Sequence, residues 1–128
     1  MKIIKVTCAI IEVNNKVLVV QRSELMAHPL KWEFPGGKIE AFESAEESIH
    51  REIKEELDVE IEIMYKITPT LFHYPDISIQ LIPFVVNYSD GEVKLKEHAQ
   101  FRLMNKKELV LLDWADADIA ILNEYLTL

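Results

Sequence analysis

The stretch that most narrows how this chain can fold is SAEESIHREIKEEL, residues 44–57. Ser44 can accept from the first helical turn, and Glu47 stands three residues on, the spacing of a capping box. Ala45, Ile49, Ile53 and Leu57 recur every four residues and make one apolar stripe. The spacing predicts a helix over 44–57 with one anchored face. At helical pitch, Glu52, Glu55 and Glu56 fall within about a 100° arc beside that stripe. Like charges so placed repel by roughly a few tenths of a kcal/mol per pair. The arc is therefore either a solvated acidic face or one that holds a cation.

Strand-like segments surround this helix. KIIKVTCAIIEV and KVLVVQR are rich in Val and Ile and are separated by Asn14-Asn15, which tolerates positive φ and reads as a hairpin turn. Residues 23–31 read as a loop broken by Pro29, and WEFPGGK as a short extended piece ending in a turn at Gly36-Gly37. Beyond the helix, VEIEIMYKITPTLFHY and ISIQLIPFVVNY are β-like and joined around Pro75-Asp76, and Ser89-Asp90-Gly91 reads as a turn. VKLKEHAQFRLM predicts one or two short strands interrupted near Glu97, and Asn105 a cap for a short turn through Leu109. DWADADIAILNEYL closes the chain as an amphipathic helix presenting Ile119, Leu122 and Leu126. This order predicts one α+β domain over residues 1–128, an α/β/α sandwich with helices covering a mixed sheet.

Charge and cysteine content narrow the function classes. A net charge of -8 argues against a nucleic acid polymer or an anionic membrane as partner, since such surfaces are normally met by basic ones. It leaves room for a small phosphate ligand whose charge a metal meets. Cys8 is the only cysteine, so no disulfide forms within the chain, and its place in an apolar strand makes it a packing residue. No leader-like N-terminus and no long apolar span is present, and the expected location is the cytoplasm. His28, His50, His73 and His98 are scattered without the spacing of zinc ligands. Trp32 and Trp114 read as packing residues, Trp32 at the rim of any pocket.

The spacing around the helix carries the chemistry. Gly37 is followed by five residues and Glu43, then by seven residues and Arg51-Glu52-Ile53-Lys54-Glu55-Glu56-Leu57-Asp58-Val59. This resembles the Nudix box, with Asp58 standing where the family has its final glycine. That position ends a helix, commonly in a left-handed conformation that Asp is among the few residues to adopt. Carboxylates four apart on a helix, such as Glu52 and Glu56, suit a hard divalent cation, with Glu55 extending the cluster. Arg51 can pair with Glu43 or Glu55 and hold it in place.

The resemblance implies a fold, an activity and a site. EFPGGKIE is similar to the matching segment of MutT-type members, which hydrolyse nucleoside triphosphates to the monophosphate and pyrophosphate with Mg²⁺, or Mn²⁺ in its place. It implies Glu52, Glu55 and Glu56 as metal ligands, joined by the Gly36 carbonyl and by Glu97 from a loop after the box. It implies Arg22 and Lys38 as phosphate contacts, and either Glu52 or Glu97 as general base. Phe34 and Leu81 are candidates to line a base pocket. Asp118 stands near the start of the last helix, where a carboxylate can accept from an exocyclic amine, and helix capping is its alternative role. The 8-oxoguanine-specific members have asparagine there and an arginine where this chain has Ile77, and ADADIAIL resembles the CTP pyrophosphohydrolase members more closely. The implied substrates are oxidised nucleotides such as 8-oxo-dGTP, in protection of DNA replication. The alternatives are a CTP-preferring or other diphosphate-cleaving enzyme and a non-catalytic nucleotide-sensing module. The protein is expected to act as a monomer or homodimer.

Overall fold

The computed structural model describes residues 2–128, and at Ser89 and Asp90 the backbone only. Eight strands form one mixed sheet: β1 (Ile3–Val13), β2 (Lys16–Gln21), β3 (Trp32–Glu33), β4 (Gly36–Lys38), β5 (Glu60–Lys66), β6 (Thr70–His73), β7 (Ser78–Asp90) and β8 (Gln100–Asn105). Helix α1 (Ala45–Leu57) lies between β4 and β5, and α2 (Asp116–Tyr125) ends the chain after a 3-10 turn at Lys106–Leu111. The central pair, β1 and β7, is parallel from Ile3↔Ser78 to Glu12↔Asn87, and the other pairings are antiparallel.

The helices cover opposite faces of this sheet. Alternate residues of one strand serve different cores: Ala9 and Ile11 join Ile49, Ile53 and Leu57 of α1, whereas Cys8 and Ile10 join Ile121, Leu122 and Tyr125 of α2. Residues 8–11 are buried throughout, which explains the unbroken apolar run in β1. The expected sandwich is the observed one, a mixed sheet with a helix on each face.

A splay in the sheet sets up the site. β1 pairs with β2 only over Ile11–Val13, and the segment Trp32–Lys38 fills the wedge where they diverge. Its first part pairs with β2 and its second with β1, at Val6↔Lys38, Thr7↔Gly37 and Cys8↔Gly36. Gly36 and Gly37 are therefore strand residues, correcting the expected turn. Glycine is needed there for space: a Cβ on Gly36 would lie 1.9 Å from the Thr7 carbonyl oxygen, and one on Gly37 2.3 Å from the Glu52 carboxylate.

Three further expectations are corrected. β7 runs on through Asp90 and the chain bends at Gly91, so no turn begins at Ser89. Residues 93–97 are not a strand: two of their backbone N–H groups bond to carbonyls at the end of α1, and only β8 continues the sheet. In α2 the inward residues are Ala117, Asp118, Ile121, Leu122 and Tyr125, whereas Ile119 is 43% exposed. The hairpin turn is as expected, with positive φ at both Asn14 and Asn15.

Candidate active site

Helix α1 is fixed at both ends by the devices read from its sequence. Ser44 accepts from the Glu47 N–H while the Glu47 carboxylate accepts from the Ser44 N–H, a reciprocal cap that stabilises by about 1 kcal/mol. Asp58 closes the helix in the left-handed conformation, φ 59° and ψ 36°, its N–H donating to the Lys54 carbonyl. Buried Ser48 sits 3.1 Å from Thr7 Oγ1, letting the helix lie close over β1. The acidic arc is thereby pressed against β4.

Arg51 organises one side of that arc. Its Nε donates to Glu43 at 2.7 Å, one terminal nitrogen to Glu52 at 2.8 Å and Glu55 at 3.1 Å, and the other to Glu43 and the Lys38 carbonyl. Both expected partners of Arg51 are thus engaged, and Glu52 is a third. The guanidinium holds Glu43 down at a pKa of about 2. Burial raises the pKa of Glu52, with Arg51 opposing it.

Glu56 stands apart from this network. Its Oε1 accepts from the Gly36 N–H at 3.0 Å. Burial first, then the negative charges of Glu52, Glu33 and Glu97, push its pKa up to about 9. Glu52, Glu55, Glu56 and Glu97 line one cleft of about 220 Å³ with Lys96 and His98. Among the described residues, no three His, Cys, Asp or Glu side chains form a ready-made metal cage. The donor set nevertheless fits a hard divalent ion, which takes few protein carboxylates and completes its shell with water and phosphate. His98 Nδ1 is buried without a hydrogen-bond partner among the described residues and lies 3.8 Å from Glu56 Oε2, so the cleft combines crowded acidic charge with an unsatisfied nitrogen.

A second, larger cavity of about 470 Å³ adjoins the wedge. Its lining includes Arg22, Phe34, Lys38, Ile77, Leu81 and Asp118, and also Gly36 and Gly37 beneath the acidic arc. Phe34 packs on Trp114 with ring centroids 4.7 Å apart. Its backbone N–H donates to Asp118 Oδ2 at 2.8 Å. Asp118 is buried, and that burial, with Glu33 adding to it, raises its carboxyl to about 8. Ala115 is the N-cap of α2, so Asp118 is a wall of the cavity and not a helix cap. Trp32 is buried beneath Arg102, whose guanidinium lies 4.8 Å from its ring centroid, and it does not line this cavity. Cys8 is buried as a packing residue and also touches the cavity.

Two residues at this junction carried no role in the sequence reading. Glu33 accepts from Arg22 at 2.8 Å through Oε1 and pairs with His98 Nε2 at 2.8 Å through Oε2. The signal for Glu33 is strand alternation, since it stands between Trp32 and Phe34, which both join the α2-side core. His98 had no local signal, because its partners lie 65 residues away at Glu33 and on α1.

Known proteins are similar to this chain in sequence and in fold. The family model described as NUDIX domain matches residues 1–125. A CTP pyrophosphohydrolase of Escherichia coli (strain K12) is 32% identical over 131 residues, covering 100% of this chain and 95% of that protein. An 8-oxo-dGTP diphosphatase of the same organism is 33% identical over 98 residues, 76% of each chain. Among solved structures, the MutT protein of methicillin-resistant Staphylococcus aureus 252 superposes with a TM-score of 0.80 at 38% identity, covering 99% of this chain and 98% of its own. The Escherichia coli ORF135 protein does so with a TM-score of 0.86 at 30% identity, covering 99% and 91%. The capped acidic helix, the glycine wedge beneath it and these full-length likenesses together establish that the chain belongs to the NUDIX domain family and is a Nudix hydrolase of the MutT type.

Proposed function

We propose that this chain, acting over residues 1–128 as one domain, is a Mg²⁺-dependent nucleoside triphosphate pyrophosphohydrolase that also accepts Mn²⁺. The observation that carries the reading is the shared wall between the two clefts. Gly36 lines the large cavity and binds Glu56 through its N–H, and Gly37 lies against the Glu52 carboxylate. A nucleotide seated in the cavity has its phosphates directed at the acidic arc.

In this reading Glu52, Glu55, Glu56 and Glu97 would hold the cation, with the Gly36 carbonyl as a further ligand. A divalent ion held there would supply charge neutralisation for the phosphates and acidify a bound water. Arg22 and Lys38 contact the phosphate chain, while Arg51 keeps Glu52 and Glu55 in place. Glu52 or Glu97 removes the proton from water. Phe34 lines the base end of the cavity, and Asp118, in its protonated form, offers both a donor and an acceptor to the base edge. The substrate reading is an oxidised nucleotide such as 8-oxo-dGTP, consistent with diphosphatase relatives and a role in protecting DNA replication. The carboxyl at Asp118, the aliphatic Ile77 in the cavity wall and the full-length likeness to a CTP pyrophosphohydrolase favour CTP as the second reading.

A nucleotide panel assayed for pyrophosphate with and without Mg²⁺ tests the proposal. Metal-dependent pyrophosphate release from 8-oxo-dGTP above the ordinary nucleotides supports the first reading, and a maximum at CTP the second. Binding without hydrolysis of any nucleotide overturns both and leaves a sensing module.

A further inference from the structure

The segment from Gly91 to Ala99 carries Glu97 into the acidic cleft, yet little regular structure holds it. Its backbone bonds are Lys94 N–H to Leu57, Lys96 N–H to Glu56 at 3.3 Å, and Ala99 N–H to Gln21. Val93 and Leu95 pack partly against the α1-side core, His98 is the segment's one buried side chain, and Glu97 between Leu95 and Ala99 is exposed. The imidazole is thus the buried anchor next to that carboxylate.

The same ring contacts Glu33, a residue of the larger cavity's wall. His98 Nε2 is hydrogen-bonded to Glu33 Oε2 at 2.8 Å. The other oxygen of Glu33 accepts from Arg22, whose Nε donates to the Ala27 carbonyl at 2.6 Å. Both oxygens of Glu33 are thus fixed, and Arg22 is held at two nitrogens. On its far side the ring faces Glu56 Oε2 across 3.8 Å. One buried ring touches the support of the phosphate-contacting arginine, adjoins a carboxylate of α1, and anchors the loop of Glu97.

We infer that His98 is a positioning residue that ties the Arg22–Glu33 pair to the cation-holding carboxylates, so that the phosphate contact and the metal cleft keep one fixed relation. The inference rests on the pyrophosphohydrolase reading above. Removing the imidazole frees Oε2 of Glu33, loosens Arg22, and lets Glu97 leave the cleft.

The test compares full-length wild type with His98→Leu and His98→Gln. The readouts are Mn²⁺ affinity without nucleotide, by calorimetry, and KM and kcat for the best wild-type nucleotide. Loss of a hydrogen bond to a charged group predicts a KM raised about tenfold in His98→Leu. Mn²⁺ affinity should fall at least about threefold as Glu97 is released. Gln presents an N–H toward Glu33, so His98→Gln should return KM to within about threefold of wild type. A folded His98→Leu with a lower Tm but unchanged KM and Mn²⁺ affinity makes His98 a core residue only and overturns the inference. Should His98→Leu not fold, His98→Gln against His98→Asn carries the same comparison, because the shorter amide falls short of Glu33, and equal KM values overturn it. Wild type that neither binds Mn²⁺ nor cleaves a nucleotide removes the function reading, and this inference with it.

Discussion

Glu56 and Asp118 are two carboxyls of one molecule placed in opposite kinds of trouble. Asp118 is buried and Glu56 partly so, their pKa values are raised to about 8 and about 9, and both accept from a backbone N–H of the Trp32–Lys38 wedge. Glu56 is crowded by Glu52, Glu33 and Glu97, whereas Asp118 has only Glu33 as an acidic contributor and Arg22 opposing it. A solitary buried carboxyl is relieved by a proton. A crowded cluster beside a phosphate-sized opening is relieved better by a divalent cation. On the proposed function, the same residue chemistry reads a base edge at one end of the cavity and holds charge for catalysis at the other.

The largest expected effect breaks the comparison at its catalytic end. Glu56→Gln, and separately Glu52→Gln, should lower kcat by roughly a hundredfold or more while circular dichroism shows an intact fold. Asp118→Ala should keep kcat on the best substrate within about tenfold and raise KM most for the preferred nucleotide, flattening the base profile. A Glu52→Gln enzyme with wild-type turnover removes Glu52 from the mechanism.

The second prediction concerns pH. A carboxyl raised in the folded state binds more protons there than in the unfolded chain, so its contribution to stability is complete below the unfolded pKa and lost as pH rises through the folded one. For Asp118 that window runs from the ordinary value of 3.8 to about 8, and for Glu56 from 4.5 to about 9. Metal-free wild type should therefore lose Tm between pH 5 and pH 8. Asp118→Asn should flatten that loss by about 5 °C or more, as measured by differential scanning calorimetry in chelator. An unchanged slope means Asp118 is ionised in the folded protein, and the contrast with Glu56 disappears.

How much was legible follows from where each cause lies. Helix α1, its caps and the left-handed Asp58 are set by residues within a few positions of one another, and they stand as read. The Gly36-Gly37 pair was misread because its cause is contact with Thr7 and Glu52, not a local dihedral. Likewise Ile119 and Ile121 are equally apolar, and only packing against the sheet decides which turns inward. The Glu33–His98 pair joins residues far apart in the chain and leaves no periodic trace. The carboxylates of the box were named from spacing, but their unequal surroundings become visible only once Arg51 is seen to hold Glu43, Glu52 and Glu55.

The smallest expected effects lie at two left-handed positions flanking α1. Phe42 has φ 66° and is fully exposed, so the strain of its side chain is offset by no packing. Phe42→Gly should stabilise by about 1 kcal/mol with activity unchanged. Asp58 shares the conformation but sits 3.4 Å from Lys54 Nζ through Oδ1. Asp58→Gly should therefore change stability by less than about 0.5 kcal/mol in urea melts. Loss of metal-dependent hydrolysis in Asp58→Gly makes Asp58 a ligand and breaks the reading of the helix end.

The most direct test of the contrast between the two carboxyls is Mg²⁺ binding at pH 7, by calorimetry in buffers of different ionisation enthalpy. A cation that takes over the relief of the crowded cluster must displace the proton that Glu56 holds, so binding should release about one proton. Asp118→Asn should leave that release intact, while Glu56→Gln should abolish it and weaken binding. Absence of Mg²⁺ binding at millimolar concentration, or binding with neither proton release nor sensitivity to Glu56→Gln, contradicts the account.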